Sequence, residues 1–135
     1  MLFRSLVAPN IVQSPDGLVF GDVMVENSSS FTNFRVNQSV SLTGSTTYTA
    51  SVYVKPLGRQ YLHLFAYNAT YNSNMLAFFD LSGSGAYTLE GSTTSASITP
   101  VGGGWYRCTV TGTPAGTGTY SLYIEANSTY PSGAG

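Results

Sequence analysis

Along most of this chain, hydrophobic residues alternate with polar ones, and this period of two constrains the fold more than any other feature. In the segment 46–55, Tyr48, Ala50, Val52 and Val54 occupy one parity, and mostly polar residues occupy the other. Successive side chains of a β-strand point to opposite faces of its sheet, so the alternation is the pattern of a half-buried strand. The 3.6-residue period of an amphipathic helix appears nowhere. We therefore expect an all-β protein.

Clusters of glycine, proline, serine and asparagine separate the alternating segments and indicate turns. They divide the chain into eight expected strands, near residues 18–26, 32–42, 46–55, 60–67, 75–81, 95–99, 105–112 and 119–125. Eight short strands are typical of a two-sheet antiparallel β-sandwich, and we expect the jelly-roll type. The 135 residues then form a single domain, with a core over 11–126 and linker-like ends at 1–10 and 127–135.

Charged residues are scarce, at 8% of the chain against roughly 25% in a typical soluble domain. The net charge is −1 and the five Lys and Arg residues are scattered, so we expect no nucleic-acid partner. No apolar stretch approaches the roughly 20 residues of a membrane-spanning helix, so we expect no membrane partner. Ser, Thr, Asn and Gly supply the polarity instead, as they do on many extracellular and virion proteins.

Four segments resemble those of a phage-associated family. They are RVNQSVSL at 35–42, YTASVYVK at 48–55, FDL at 79–81 and GWYRCTV at 104–110. In order and approximate spacing they are similar to carbohydrate-binding-module-like jelly rolls of bacteriophage tail fibres, head fibres and other virion surface proteins. The resemblance covers roughly residues 14–125. Many relatives continue into a further closing strand that this chain lacks, so the sandwich closes differently, using residues near 1–13 or a strand from a partner.

The resemblance implies a non-catalytic module of the virion surface, made in the host cytoplasm, that adheres to host or environmental glycans. The alternative is a structural virion protein, a capsid decoration or a head or tail fibre subunit, with other virion proteins as partners. Phage fibres are commonly trimeric, so this alternative predicts a homo-oligomer, and a trimer in particular.

The segment 60–67 supplies the strongest candidate site. One parity carries Leu62, Leu64 and Ala66, which suits a sandwich core, and the other carries four rings: Tyr61, His63, Phe65 and Tyr67. An outward row of aromatic rings marks either a binding surface or an oligomer contact. Sugar rings have apolar C–H faces that stack on aromatic side chains, and tyrosine hydroxyls can hydrogen-bond to sugar hydroxyls. Burial under a loop is the third interpretation.

Further outward positions join this surface if their strands belong to the same sheet. They are Tyr53 with Lys55, Trp105 with Arg107, and Tyr123 with Glu125. Each has a structural interpretation as well: Trp105 can pack under a loop, and Tyr53 and Tyr123 can cover neighbouring strands. Arg107 can stack on Trp105 or pair with Glu125.

Residues with catalytic or metal-binding chemistry are few. The six carboxylates form no recognisable glycosidase pair, and no nucleophile-elbow motif accompanies the single histidine, His63, so we expect no enzyme. We expect no cofactor; a structural calcium would need Asp16 and Asp22, and a Pro-Asp-Gly turn explains Asp16 without a metal. Cys108 is interpreted as a small buried hydrophobe rather than a reactive thiol.

Overall fold

The structure, a computed structural model, describes residues 5–12, 21–26, 33–90 and 95–127. Within these ranges it contains ten strands and no helix, which confirms the all-β prediction. The strands are β1 (Ser5–Val12), β2 (Gly21–Glu26), β3 (Asn33–Leu42), β4 (Tyr48–Val54), β5 (Tyr61–Asn68), β6 (Asn72–Asp80), β7 (Ala86–Leu89), β8 (Ser95–Gly102), β9 (Trp105–Gly112) and β10 (Gly118–Asn127).

Two of the ten strands were not predicted. Strand β7 has only four residues, too few to show an alternating pattern. Strand β1 lies mostly in the N-terminal segment that we expected to be linker-like. Its pairing with β2 shifts register between Ala8 and Val12, around Pro9, which has no N–H to donate to a ladder. The predicted C-terminal linker lies outside the described residues, apart from Asn127 at the end of β10.

The strands form two main antiparallel sheets, as predicted. The larger has the order β3-β10-β5-β6-β7 and the smaller the order β4-β9-β8, while β1 and β2 pair with each other. Consecutive strands change sheet at β3–β4, β4–β5, β7–β8 and β9–β10, so the chain passes back and forth between the layers. Strand β10 pairs along its whole length with β3, from Gly118–Leu42 to Asn127–Asn33, and it also pairs with β5. Strand β10 thus closes the larger sheet between β3 and β5, and β1 pairs with β2 rather than with either main sheet.

One core lies between the two sheets, so the architecture is that of a β-sandwich. Both sheets contribute side chains that are less than one-tenth exposed: Leu62, Leu64, Ala66, Met75, Ala77, Phe79, Leu81 and Tyr120 from the larger, and Tyr106, Cys108 and Val110 from the smaller. Removing such apolar surface from water is the main favourable contribution to folding. Cys108 is 0% exposed, which confirms the prediction of a buried residue, and this burial raises the pKa of its thiol to about 12.

Two loops at one end of the sandwich hold the sheets together. The Ser45 N–H donates to the carbonyl oxygen of Pro114 at 2.9 Å, and the Gly44 N–H donates to Thr117 Oγ1 at 2.9 Å. A Cβ atom on Gly44 would lie 2.9 Å from the Cα of Gly116. Glycine is therefore required where the β3–β4 and β9–β10 connections meet.

Candidate functional site

Strand β5 has the two faces that its sequence predicts. Leu62, Leu64 and Ala66 are buried in the core, and the four rings of the opposite parity point away from it. The pairing of β5 with β6 stays in register from Tyr61 to Ala66 and shifts only beyond that point, so no bulge exchanges the two faces there.

Neighbouring strands extend this outward surface. We call it the ring face and define it by nine outward side chains on β3, β10, β5 and β6: Arg35, Tyr123, Glu125, Tyr61, His63, Phe65, Tyr67, Leu76 and Phe78. Polar side chains such as Asn37, Ser39 and Ser121 lie on the same side of the sheet. Of the nine, Arg35, Leu76 and Phe78 were not predicted as site residues. The sequence pattern predicts that these side chains face outward, but it does not predict which strands lie next to β5.

Five side chains of the ring face form a continuous stack across four strands. The Arg35 guanidinium carbon lies 4.8 Å from the ring centroid of Tyr123, whose ring stacks on Phe65 at 4.7 Å and 22°. Phe65 contacts His63 at 4.3 Å, and His63 stacks on Phe78 at 3.8 Å and 11°. Such ring pairs contribute about 0.5–1.5 kcal/mol each beyond the area they bury.

The stack determines which parts of its rings are available to a ligand. It runs along the sheet from β3 to β6, so the rings stand upright and their faces cover one another. Their edges are turned outward. Tyr61 and Tyr67 lie outside the stack described above. Tyr67 is 43% exposed, which makes it the most accessible ring of this face.

A carboxylate lies among these rings. Glu125 is only 5% exposed, although it is on the outward side of the sheet. It shares a row with Arg35 on one side and His63 on the other, and its oxygens lie 3.8 Å from Arg35 Nη1 and 3.5 Å from His63 Nδ1. A buried carboxylate needs such partners because desolvation disfavours its charge.

The two ring nitrogens of His63 have different surroundings. Its Nδ1 faces Glu125, as in a pair of catalytic base and orienting carboxylate. Its Nε2, however, is shielded from solvent and has no hydrogen-bond partner among the described residues. Within the described ranges, no hydroxyl group therefore hydrogen-bonds to this nitrogen.

The remaining predicted site residues do not join the ring face, except Tyr123 and Glu125. Tyr53 and Arg107 are cross-strand partners in the smaller sheet, on the opposite side of the sandwich. The suggested pairing of Arg107 with Glu125 is therefore wrong, and Arg35 has that position instead. Trp105 is 9% exposed at the start of β9, in agreement with the interpretation that it is packed rather than displayed.

The outward side of the smaller sheet is lined by hydroxyl groups. We call it the hydroxyl face; seven Ser and Thr side chains alternate along its three strands, namely Thr49, Ser51, Ser95, Ser97, Thr99, Thr109 and Thr111. Thr49 Oγ1 and Thr111 Oγ1 are 2.8 Å apart, and Ser97 hydrogen-bonds to Thr109. Tyr53, 53% exposed, lies at the end of this face beside Arg107.

The carboxylate of Asp80 has ordinary structural contacts. Asp80 Oδ1 accepts hydrogen bonds from Gln60 Nε2 at 2.8 Å and from Ser82 Oγ at 2.7 Å, at the turn after β6. Among the residues that the structure describes, no group of three or more His, Cys, Asp or Glu side chains could hold a metal ion. Asp16 and the side chain of Asp22 lie outside the described residues, so the calcium interpretation stays untested.

No helix in the described ranges is long and apolar enough to cross a membrane. In comparison with known proteins, no protein family matches this sequence and no curated protein is significantly similar to it. The inference of function therefore depends on the two outward faces and on the resemblance of the four sequence segments.

Proposed function

We propose that this chain is a non-catalytic module of a phage virion surface that binds carbohydrate of the host or the environment. The stacked ring face is the observation that carries the proposal. A solvent-facing sheet surface is normally polar, whereas this one carries five aromatic rings and one imidazole across three adjacent strands. The virion location follows from the resemblance of the segments at 35–42, 48–55, 79–81 and 104–110.

The strand pairing supports a jelly-roll-type sandwich as the framework of this module. An antiparallel ribbon of eight strands that is rolled up pairs its first strand with its last and its second with its seventh. Taking β3 to β10 as that ribbon, the pairs β3–β10, β4–β9 and β6–β7 follow this order. Two pairs depart from it: the rolled ribbon would pair β5 with β8, whereas β8 pairs with β9 in the smaller sheet and β5 pairs with β6 in the larger.

The geometry of the ring face favours a glycan contact at its margin. Tyr67 offers an accessible ring with a hydroxyl group, which suits both stacking on a sugar and hydrogen bonding to it. The inner rings are held by their neighbours and by the Arg35–Glu125–His63 cluster. A surface that is already ordered loses little conformational entropy when a ligand binds.

A second candidate function, the structural virion subunit, is favoured by the upright rings and the buried carboxylate. Ring edges form a closely packed apolar surface, and Glu125 below it is 5% exposed. Protein interfaces combine an apolar centre with charges that are paired and desolvated. In this alternative the ring face is covered by another copy of the chain, most simply in a trimer.

The two functions are separated by one variant and two measurements. Tyr67→Ala is tested on a glycan array and by light scattering after gel filtration, and Tyr87→Ala is the matched control because Tyr87 is 47% exposed and lies off the ring face. A monomer whose glycan signal is lost in Tyr67→Ala alone supports adhesion. An oligomer that only Tyr67→Ala dissociates supports the structural role. Tyr67→Ala and Tyr87→Ala behaving alike in both measurements would overturn both functions.

A further inference from the structure

The hydroxyl face is the second surface of the molecule whose chemistry suggests a ligand. Its outward side chains lie in rows across β4, β9 and β8: Thr49–Thr111–Ser95, then Ser51–Thr109–Ser97, then Tyr53–Arg107–Thr99. Cross-strand hydroxyl groups in these rows lie side by side, and Thr49 Oγ1 and Thr111 Oγ1 are 2.8 Å apart. Most of these side chains are exposed, and no other strand of the described residues packs over them.

The end of the hydroxyl face is positively charged. Arg107 and Lys55 are both exposed, and Lys55 follows β4 on the same parity as Tyr53. A Cβ atom on Gly104 would lie 3.2 Å from Lys55 Cε and 3.8 Å from its Nζ, so the lysine side chain extends over the β8–β9 turn toward β9, the strand of Arg107. Two cations therefore flank the exposed ring of Tyr53.

No negative charge balances these two cations within their own sheet. The sequences of β4, β8 and β9 contain no Asp or Glu. The whole chain has a net charge of −1, so the positive end of the hydroxyl face contrasts with the rest of the molecule. On the ring face, by comparison, Arg35 is paired with Glu125.

We propose that the hydroxyl face binds an acidic polysaccharide, with Lys55 and Arg107 contacting its carboxylate or sulfate groups and Tyr53 stacking on a sugar ring. The proposal rests on the proposed carbohydrate-binding function and adds a second surface and a ligand class to it. The Ser and Thr rows hydrogen-bond to the sugar hydroxyls of the chain as it continues along the sheet. Two cations on a flat sheet are too few for a nucleic-acid groove, which makes a polysaccharide the better fit.

The test measures binding of the full chain to dextran sulfate, polygalacturonate and neutral dextran, by affinity electrophoresis at several salt concentrations. We expect binding to the two acidic polymers and not to dextran, weakening as salt screens the charges. Lys55→Gln with Arg107→Gln removes both exposed ion contacts, so the affinity should fall by up to about thirtyfold. Lys55→Arg with Arg107→Lys keeps both charges and retains most of the binding.

Two controls keep folding and the other face separate from this result. The buried Cys108 thiol stays inaccessible to a thiol reagent if the variants fold, and Tyr67→Ala tests the ring face. Unchanged affinity in the Gln double variant, equal binding to dextran, or tighter binding to duplex DNA would each overturn the proposal. If the chain binds neither acidic polymer, the proposed polysaccharide site on the hydroxyl face is also overturned. If neutral glycans still bind through Tyr67 in that case, the proposed carbohydrate-binding function survives. If no glycan binds at all, the function and the site both fail.

Discussion

The two outward faces of this sandwich differ in the side-chain contacts that stabilise them. On the ring face, side chains contact each other across four strands and surround a carboxylate that is 5% exposed. On the hydroxyl face, exposed Ser and Thr side chains form only pairwise hydrogen bonds such as Thr49–Thr111. The outward side chains of a sheet can therefore pack against one another as a layer of their own. Substitutions on the ring face should therefore change stability, whereas those on the hydroxyl face should change binding with little effect on folding.

The largest effect is expected for Glu125→Ala. The substitution removes the acidic partner of Arg35 and His63 and leaves a gap beneath the rings, so the free energy of unfolding should fall by about 2–4 kcal/mol. Urea denaturation measures this change. Glu90→Ala, which removes a half-buried carboxylate on the far edge of the same sheet, is the control and should cost less than about 1 kcal/mol. Equal losses would show that the cluster adds nothing to the ring face.

A smaller loss is expected when the stack is interrupted at its centre. Phe65 lies between Tyr123 and His63, so Phe65→Ala should lower the free energy of unfolding by about 2 kcal/mol. Phe65→Leu keeps most of the buried area but not the ring contacts, and it should cost about 1 kcal/mol. If the leucine variant matches the wild type in thermal and urea unfolding, the stack stabilises the protein only through the apolar area that it buries, and the ring–ring contacts add nothing.

Unfolding at alkaline pH tests the burial of Cys108 in the core between the two sheets. The pKa of the Cys108 thiol is about 12 in the folded protein against an ordinary value of 9.0, so the native state keeps a proton that the unfolded chain loses. The resulting stabilisation is complete below pH 9 and is lost as the pH rises from 9 to about 12, by up to about 1.4 kcal/mol per pH unit. Urea denaturation at pH 8 and pH 10 should show a steeper decline for the wild type than for Cys108→Ala; parallel declines would exclude the thiol.

The smallest effect is expected on the hydroxyl face. Thr109→Val removes one hydroxyl from the centre of the smaller sheet and keeps the β-branched shape, so the free energy of unfolding should change by less than about 0.5–1 kcal/mol. Thermal unfolding measures it. A loss as large as that of Phe65→Ala would mean that the hydroxyl rows hold the sheet together, and the contrast between the faces would disappear.

Strand parity in the sequence predicted much of this molecule. It assigned the rings of β5 to the outside and Cys108 to the core, because alternation specifies the face of every side chain on a regular strand. Parity could not predict which strands share a sheet. Tyr53 and Tyr123 both point outward from their strands, yet they lie on opposite sides of the sandwich, because the order of strands depends on contacts between residues far apart in the chain.

The cluster at Glu125 was hidden for a related reason. A carboxylate on an outward position is expected to be solvated, and its burial results from Arg35 and His63, which come from two other strands. Neither residue is near Glu125 in the sequence. The rows of Ser and Thr were visible as alternation, but the same residues are common on any exposed strand, so they became a candidate surface only when three strands were placed side by side.

The position of β10 has a consequence for how the protein is made. Strand β10 follows the other nine in chain order, yet it lies between β3 and β5, and its partners on β3 are 76 to 94 residues away. Contacts at such separation are slow to form because a long loop must be closed first. While the chain is being synthesised, β3 and β5 have unpaired edges, and such edges favour aggregation. The ring face therefore exists only once β10 has inserted, and a nascent chain that stalls before residue 118 would have to be protected by a chaperone.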